Sequence, residues 1–174
     1  VEVLFAPKYA EAMNLLEVAI RNCYDSLDSI CHGSAEKIIS HIIKNNHHSM
    51  LEFLNVTVRI TTSRNVLAQL SRHRHITMAV NSQRYINYSK KKYNRELSFV
   101  VPEDLDDVQY LTWRDACQQA EDSYIELIEK YHKSTDTARS VLPNCTATTI
   151  VMTANIREWR HILELRCDKH ASPD

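Results

Sequence analysis

Residues 72–85 read Arg72-His73-Arg74-His75-Ile76-Thr77-Met78-Ala79-Val80-Asn81-Ser82-Gln83-Arg84-Tyr85. This segment concentrates three arginines and two histidines in 14 residues and adds hydroxyl and amide groups. Arginine offers five N–H donors in a rigid fork that fits phosphate and carboxylate groups. Serine, asparagine and glutamine add neutral donors and acceptors that suit a sugar or the edge of a base. The segment therefore indicates a site for a phosphorylated, heterocyclic ligand.

The residues that lead into this segment favour a helix. Apolar side chains recur every three or four positions over residues 63–74, which predicts that the stretch is helical. On such a helix Gln69, Arg72 and His73 share one side. The end of the helix is thus expected to present polar and cationic side chains together.

The second half of the segment favours an extended backbone, because residues 77–80 suit a strand better than a helix. In an extended chain Ser82 and Arg84 point to the same face, since side chains repeat every two residues. A helix end followed by a strand, each with arginines, can hold a phosphate from two directions. A solvated basic face and a nucleic-acid patch remain open as other interpretations.

Composition limits the class of protein. The chain has 174 residues, 44% of them hydrophobic and 25% charged, as expected for one globular domain. Its formal net charge of -1 argues against a dedicated nucleic-acid binder, which is usually strongly basic. No apolar run approaches the ~20 residues of a membrane span. The five cysteines form no CxxC pair and no signal peptide is visible, which predicts reduced thiols in a cytoplasmic protein.

Two further kinds of site are disfavoured by the sequence. Gly33 is the only glycine, so neither a Rossmann turn nor a P-loop can cradle a phosphate. Arginine forks, helix N-termini and neighbouring subunits must hold phosphates instead. A zinc site at Cys31, His32, His41, His47 and His48 is disfavoured, because their spacing matches no standard pattern, and we expect no metal.

Periodicity along the chain predicts a mixture of helices and strands. Helices are expected at residues 9–22, 34–45, 63–74, 106–134, 135–142 and 155–168, and strands at residues 1–6, 51–61 and 146–153. No repeat or linker separates these elements. We therefore expect a single α/β domain of mixed (α+β) topology over residues 1–174, with a mostly antiparallel sheet flanked by helices.

The order of residue types resembles that of a known family in four segments. The first is Arg72-His73-Arg74, the hydroxyl of Thr77, Ser82 and Arg84-Tyr85, which resembles the signature of the flavin-dependent thymidylate synthases. The others are His47-His48-Ser49-Met50-Leu51-Glu52-Phe53, Ala138-Arg139-Ser140-Val141-Leu142-Pro143 and Asn155-Ile156-Arg157-Glu158-Trp159-Arg160-His161-Ile162-Leu163-Glu164-Leu165-Arg166. Four matches in the family's order are far more specific than any one of them.

The resemblance implies an activity. It is the reductive methylation of dUMP to dTMP, with methylenetetrahydrofolate as carbon donor, reduced FAD as hydride source and NADPH as the reductant of the flavin. It also implies a homo-oligomer, most simply a tetramer, with active sites between subunits. The family usually continues for a helix or two past the position of Asp174, which implies a truncated C-terminal tail.

The resemblance also implies the roles of individual residues. Arg166 is the expected catalytic residue, whereas without the resemblance an arginine near a helix C-terminus is better explained by the helix dipole. The residues expected to bind dUMP are Gln69, Arg72, Asn81, Ser82, Gln83, Arg84, Arg139 and Arg166. The residues expected to bind FAD are Ser49, Arg72, His73, Arg74, Asn155, Arg157 and His161.

Two alternatives belong to other functional classes. The first is a non-catalytic nucleotide- or RNA-binding module that uses the cluster Arg72–Arg84, which predicts a steep salt dependence of binding. The second is a member of the family that binds FAD but has lost methylation. It is suggested by Ala79 and Val80, which stand where the family often has Asn-Glu.

Overall fold

The computed structural model describes residues 1–170. Its helices and strands are β1 (Glu2–Phe5), α1 (Tyr9–Asn22), α2 (Ser34–Lys44), β2 (Asn55–Ser63), α3 (Arg64–Leu70), β3 (Ile76–Val80), α4 (Asp107–Glu129), α5 (Thr135–Ala138), β4 (Ala147–Asn155) and α6 (Ile156–Arg166). Within this part of the chain, none of the helices combines the length and apolar character that a membrane span requires. The expected truncation of the C-terminal tail concerns the chain end, which lies outside the described residues.

The four strands of residues 1–170 form one sheet in the order β1-β2-β4-β3. β1 pairs with β2 in antiparallel orientation. Between β2 and β4, the Thr57 hydroxyl donates to the Thr153 hydroxyl at 3.0 Å, and the hydroxyl oxygens of Thr61 and Thr149 lie 3.5 Å apart. Residue numbers rise along β2 as they fall along β4, so this pair is antiparallel too. The predicted mostly antiparallel sheet with flanking helices is confirmed.

The described chain forms two compact units. Unit 1 comprises residues 1–59, 73–78 and the described residues from 151 onward, and unit 2 comprises residues 60–72 and 79–150. The segment 72–85 is therefore divided between the units, with His73 in unit 1 and Arg84 in unit 2.

Unit 1 is held together by an apolar core built from α1, α2 and the 3₁₀ turn His48–Phe53. Its buried members are Leu16, Ile20, Ile39, Ile42, Leu51 and Leu54. The helical members are spaced three or four residues apart, so each helix turns one apolar stripe inward. α2 begins after Gly33, whose φ of 75° suits a residue without a side chain. α1 spans the predicted residues 9–22, which confirms that prediction.

Unit 2 has its own core around Tyr124 of α4, which is fully buried and packs with Leu97 and Ala138. The Tyr124 hydroxyl donates to the Ile86 carbonyl and accepts from the Tyr88 N–H, each at 3.4 Å. These contacts tie the chain that follows Tyr85 to the core. They therefore fix the chain immediately after the segment 72–85.

The prediction of a helix over residues 63–74 is wrong at its end, because α3 stops at Leu70. The Ser71 hydroxyl donates to the Ala68 carbonyl at 2.8 Å, the acceptor that the Arg72 N–H needs in a continuing helix. The Arg72 N–H donates instead to the Gln69 carbonyl at 3.2 Å. Gln69, Arg72 and His73 therefore do not share one helical face.

The alternation predicted for Ser82 and Arg84 is also wrong. β3 ends at Val80, and the Ser82 carbonyl then accepts from the N–H groups of Tyr85 and Ile86 at 3.1 and 3.0 Å. These bonds close a turn, which polar residues such as asparagine and serine favour.

Three further predicted boundaries differ from the structure by four or five residues. β2 begins at Asn55 rather than at residue 51, since residues 48–53 form a 3₁₀ turn. α4 ends at Glu129, before His132 adopts a left-handed backbone with φ 51°. α5 ends at Ala138, where the Ser140 hydroxyl takes the Thr137 carbonyl and a 3₁₀ turn follows.

Candidate active site

The start of α6 is fixed by local hydrogen bonds. The Asn155 side chain caps the helix by accepting from the Glu158 N–H at 2.9 Å. The Ile156 N–H donates to the Leu54 carbonyl at 2.9 Å, and the Trp159 indole donates to the Val56 carbonyl at 3.0 Å. These bonds hold the first turn of α6 against the start of β2. The side chains of that turn therefore project from a rigid base.

A polar cavity of about 470 Å³ opens beside this turn, entirely within unit 1. It is lined by His48, Glu52, His75, Asn155, Arg157, Glu158, Arg160, His161 and Glu164. Three residues expected to bind FAD, Asn155, Arg157 and His161, are thus brought together. The arginines and imidazoles give the cavity donors for an anionic ligand.

Arg157 is oriented toward the cavity by an ion pair. Its guanidinium lies 2.6 Å from a carboxylate oxygen of Glu52, and both side chains are about half exposed. Ion pairs of this exposure stabilise a fold by roughly 0–1 kcal/mol. The pair thus contributes orientation of the guanidinium more than stability.

His73 lies close to several charged groups of unit 1 and is itself buried. Its Nδ1 is 3.5 Å from a carboxylate oxygen of Glu158, and its ring meets that of His161 edge-on, with centroids 5.9 Å apart. Burial lowers the pKa of His73, and the Arg166 guanidinium lowers it further, while Glu158 opposes both. The imidazole is therefore held in its neutral form near pH 7. The same interaction places Arg166, the expected catalytic residue, near His73.

Two arginines expected to bind dUMP meet in unit 2. Nε of Arg84 lies 3.2 Å from Oδ1 of Asp136, and a terminal nitrogen of Arg139 lies 2.9 Å from the same oxygen. All three side chains are 41 to 56% exposed, so the two guanidinium groups are open to a ligand. One oxygen of Asp136 thus contacts both guanidinium groups, and an oxygen of a phosphate group could contact them in the same way.

The turn that follows β3 is anchored by Arg64. A terminal nitrogen of Arg64 donates to the Asn81 carbonyl at 2.7 Å, and the Asn81 N–H donates to the Thr149 carbonyl at 3.0 Å. Burial lowers the pKa of Arg64, and nearby Arg139 adds to that effect against the opposing influence of Tyr88. Arg64 therefore lies near Arg139, one of the two arginines that Asp136 joins. It fixes the backbone where the turn begins.

The remaining expected residues are less closely grouped. Gln83 is buried in unit 2, and its side-chain nitrogen has no hydrogen-bond partner among residues 1–170. Arg72 and Arg74 are exposed, and Gln69 and Ser82 are half-buried. Ser49 lines a different, smaller cavity of about 140 Å³ with Cys23 and Met50. Within the described part of the chain, no three His, Cys, Asp or Glu side chains cluster closely enough to hold a metal ion.

Comparison with known proteins decides the family. The family model described as "Thymidylate synthase complementing protein" matches residues 7–174. A protein of Mycobacterium phage L5 named "Probable flavin-dependent thymidylate synthase" is 31% identical over 175 residues, which cover 94% of this chain and 72% of the relative. This chain belongs to the flavin-dependent thymidylate synthase family.

Other members of the flavin-dependent thymidylate synthase family agree in sequence and in fold. The "Flavin-dependent thymidylate synthase" of Mycobacteroides abscessus is 34% identical over 174 residues, covering 90% of this chain and 68% of that protein. Thymidylate Synthase X (ThyX) from Helicobacter pylori, crystallised with FAD and dUMP, superposes with a TM-score of 0.78 at 22% identity. That likeness covers 98% of this chain and 85% of the other. The two chains therefore share a fold.

Three residues that position the site of this flavin-dependent thymidylate synthase family member are not among those expected from sequence, namely Arg64, Asp136 and Glu158. Asp136 follows a Ser-Thr pair that is typical of a helix start, so its pattern indicates a cap rather than a site. Glu158 stands three residues after Asn155, where a glutamate commonly completes a capping box. Local patterns thus offered another explanation for two of them, and no local pattern marks Arg64.

Proposed function

We propose that this protein catalyses the reductive methylation of dUMP to dTMP. The carbon comes from methylenetetrahydrofolate and joins C5 of the uracil ring, whose proton leaves. Reduced FAD, when bound, supplies the hydride that completes the methyl group, and NADPH restores the reduced flavin. The observation that carries the proposal is the polar cavity of unit 1, on which His48, His75 and α6 converge from three separate parts of the chain.

The side chains around this cavity fit FAD. Arg157 and Arg160 offer forked donors for a diphosphate. His73, which contacts the cavity residues Glu158 and His161, has a buried ring nitrogen, Nε2, without a hydrogen-bond partner among residues 1–170. Buried polar atoms are normally hydrogen-bonded, so an unpartnered one indicates a ligand. Asn155, Arg157, His161 and His73 are the residues that we propose hold the cofactor, with Ser49, Arg72 and Arg74 at its periphery.

The substrate phosphate is proposed to bind at Arg84 and Arg139. Both guanidinium groups already converge on one carboxylate oxygen of Asp136, and phosphate can be bound by arginine through two parallel hydrogen bonds. Gln83 has an unpartnered buried amide nitrogen within the described residues, which suits a carbonyl of the base or an oxygen of the sugar. Gln69, Arg72, Asn81 and Ser82 complete the proposed dUMP-binding set.

Arg166 is the proposed catalytic residue. It ends α6 and lies close enough to His73 to lower the pKa of that imidazole. A fixed guanidinium beside N3 and O2 of uracil stabilises the negative charge that develops there as C5 becomes nucleophilic. It does so without giving up a proton, because arginine stays protonated in proteins.

A cysteine nucleophile is not needed in this scheme, and Cys117 is poorly suited to be one. Burial and the neighbouring Cys145 raise the pKa of Cys117 to about 12. Since the thiolate is the nucleophile, a thiol with this pKa is almost wholly unreactive at neutral pH.

We propose that the active enzyme is a homotetramer with its active sites between subunits. All four residues of β1 are exposed, including Val3 and Phe5, and α4 exposes Val108 and Leu111. Apolar surface of this kind is commonly covered by a partner. The cysteines of residues 1–170 are all free, which supports a reducing compartment, and we propose the cytoplasm.

The test is a turnover assay with dUMP tritiated at C5. The proposal predicts release of tritium and formation of dTMP only when FAD, NADPH and methylenetetrahydrofolate are all present. Arg166→Ala is expected to abolish both products while FAD remains bound. Bound FAD and dUMP without any dTMP would instead favour a family member that has lost methylation, and would overturn the proposal.

A further inference from the structure

His73 and Glu158 form a buried polar pair in unit 1. Each is 8% exposed, and Nδ1 of His73 lies 3.5 Å from a carboxylate oxygen of Glu158. This distance is at the outer limit of a hydrogen bond. Because both groups are buried, the electrostatic interaction between them is stronger than it would be in water.

The position of Glu158 is fixed by the helix that carries it. Its N–H is held by the Asn155 cap at 2.9 Å, and its neighbour Trp159 is held by the Val56 carbonyl. A glutamate at this position often turns back to the N-cap N–H, but here the carboxylate lies beside His73. The carboxylate therefore faces the imidazole from a rigid support.

This arrangement selects one of the two forms of a neutral imidazole. An ionised carboxylate can only accept hydrogen bonds, so it favours the form with the proton on Nδ1. The other form would set the Nδ1 lone pair against the carboxylate. When Nδ1 carries the proton, Nε2 carries none and becomes an acceptor.

The acceptor at Nε2 is unused in the protein alone. Nε2 is buried and has no hydrogen-bond partner among residues 1–170. Arg166, which lies close enough to lower the pKa of His73, can only donate, and so can Arg157 and Arg160, which line the neighbouring cavity. An acceptor in such surroundings is complementary to a ligand that offers an N–H or O–H group as well as anionic oxygens.

We propose that Glu158 is a positioning residue that fixes His73 in its Nδ1–H form, so that Nε2 accepts a hydrogen bond from an N–H or O–H group of the bound cofactor. The inference rests on the proposed function, since the cofactor tested is FAD. Glu158 acts through His73 and not on the cofactor directly. Carboxylates that orient histidines in this way also occur around metal and triad histidines.

The first test is made on the protein without FAD. The ¹⁵N and ¹³Cδ2 chemical shifts of His73 report which ring nitrogen carries the proton. We expect the Nδ1–H form in the wild-type protein and a substantial Nε2–H population in Glu158→Ala. Glu164→Ala, which removes one carboxylate from the same helix and the same cavity, is expected to leave the His73 signals unchanged.

Glu158→Gln separates positioning from a purely structural role, because it keeps the shape of the side chain. Its amide can donate to Nδ1, which allows the Nε2–H form to appear. A structural role predicts wild-type His73 signals and wild-type FAD affinity for this variant. A positioning role predicts a mixture of the two ring forms and weaker FAD binding. This comparison does not require that Glu158→Ala folds.

The second test is a double-mutant cycle on the dissociation constant for FAD. Glu158→Ala should weaken binding about tenfold in the wild-type background, as expected for one hydrogen bond to a ligand. In a His73→Phe background the same substitution should change binding by less than about threefold. Equal losses in both backgrounds would mean that Glu158 acts on FAD directly, and would overturn the proposal.

The two tests also separate this inference from the proposed function. An Nε2–H form of His73 in the wild-type protein overturns the inference and leaves the proposed function standing. A wild-type protein that binds no FAD overturns the proposed function and the cofactor part of the inference together. The Nδ1–H form, lost in Glu158→Ala together with FAD affinity, supports both.

Discussion

Replacement of Arg64 by methionine should weaken dUMP binding without weakening FAD binding. Methionine keeps the length and apolar character of the Arg64 stem but removes the donor to the Asn81 carbonyl. Asn81 begins the turn that carries Ser82, Gln83 and Arg84, all proposed to contact dUMP. The backbone at this point would then be held mainly by the bond from the Asn81 N–H to Thr149.

The magnitude follows from the chemistry of the lost bond. A hydrogen bond from a charged group contributes about 1.5–3 kcal/mol, and the 2.7 Å distance is typical of such a bond. Because the bond is exposed to solvent, we take the lower end of that range. Part of this energy maintains the turn that dUMP requires. A loss of about 1.4 kcal/mol corresponds to a tenfold higher dissociation constant. We therefore expect an increase of about tenfold in the dissociation constant for dUMP.

The assay is calorimetric titration of FAD-loaded protein with dUMP, together with a separate titration of FAD. Arg114→Met is the matched control, since the Arg114 guanidinium is exposed and bonds to its neighbour Asp115. It should leave both affinities unchanged. An Arg64→Met protein with wild-type affinity for dUMP would refute the reasoning, and equal losses for dUMP and FAD would show a general folding defect instead.

Four further outcomes are expected. Arg166→Ala should reduce the rate of dTMP formation to background while the flavin absorption of the purified protein persists. Met152→Ala should lower the free energy of unfolding by about 2–5 kcal/mol in a urea titration, because Met152 is fully buried on β4 and a cavity would remain. The free energy of unfolding should fall as the pH drops below 6.5, the ordinary pKa of histidine, because the unfolded chain takes up a proton that buried His73 resists. His73→Gln should make the free energy of unfolding less dependent on pH in this range. A pH dependence equal to that of the wild type would contradict the lowered pKa of His73. Iodoacetamide at pH 8 should alkylate exposed Cys23 and spare Cys117, whose pKa is raised to about 12, as peptide mass spectrometry can check.

The elements that sequence predicted well are those set by local patterns. α1 spans the predicted residues because its apolar stripe recurs at helical spacing. β4 alternates buried and half-buried residues, as its β-branched sequence predicts, and Asn155 caps the helix that follows. In each case neighbouring residues alone decide the conformation.

The elements that sequence predicted poorly depend on a single competing hydrogen-bonding group. Apolar spacing extends a helix through residue 74, but the Ser71 hydroxyl takes the carbonyl that the next turn requires. The Ser82 carbonyl likewise closes a turn where alternation predicts a strand. Such outcomes are set by differences of about 1 kcal/mol, to which periodicity is insensitive.

In the candidate site, too, some residues could be predicted from sequence and others could not. The arginines and histidines were predicted from segments that resemble the family, and the structure brings Arg84 to Arg139 through Asp136. Asp136 lies three residues before Arg139, but the other positioning residues lie far from their targets in sequence. Glu158 reaches His73 across more than 80 residues of sequence, so no local pattern could have identified it.

The most direct test of the account is the visible absorption spectrum of the purified protein, recorded with added FAD and then with dUMP. The account predicts flavin bands that stay with the protein and shift when dUMP is added, because hydride transfer requires the flavin to meet the uracil ring. A protein that remains colourless after incubation with FAD would contradict it. The cluster Arg72–Arg84 would then be better explained as part of a nucleotide- or RNA-binding module.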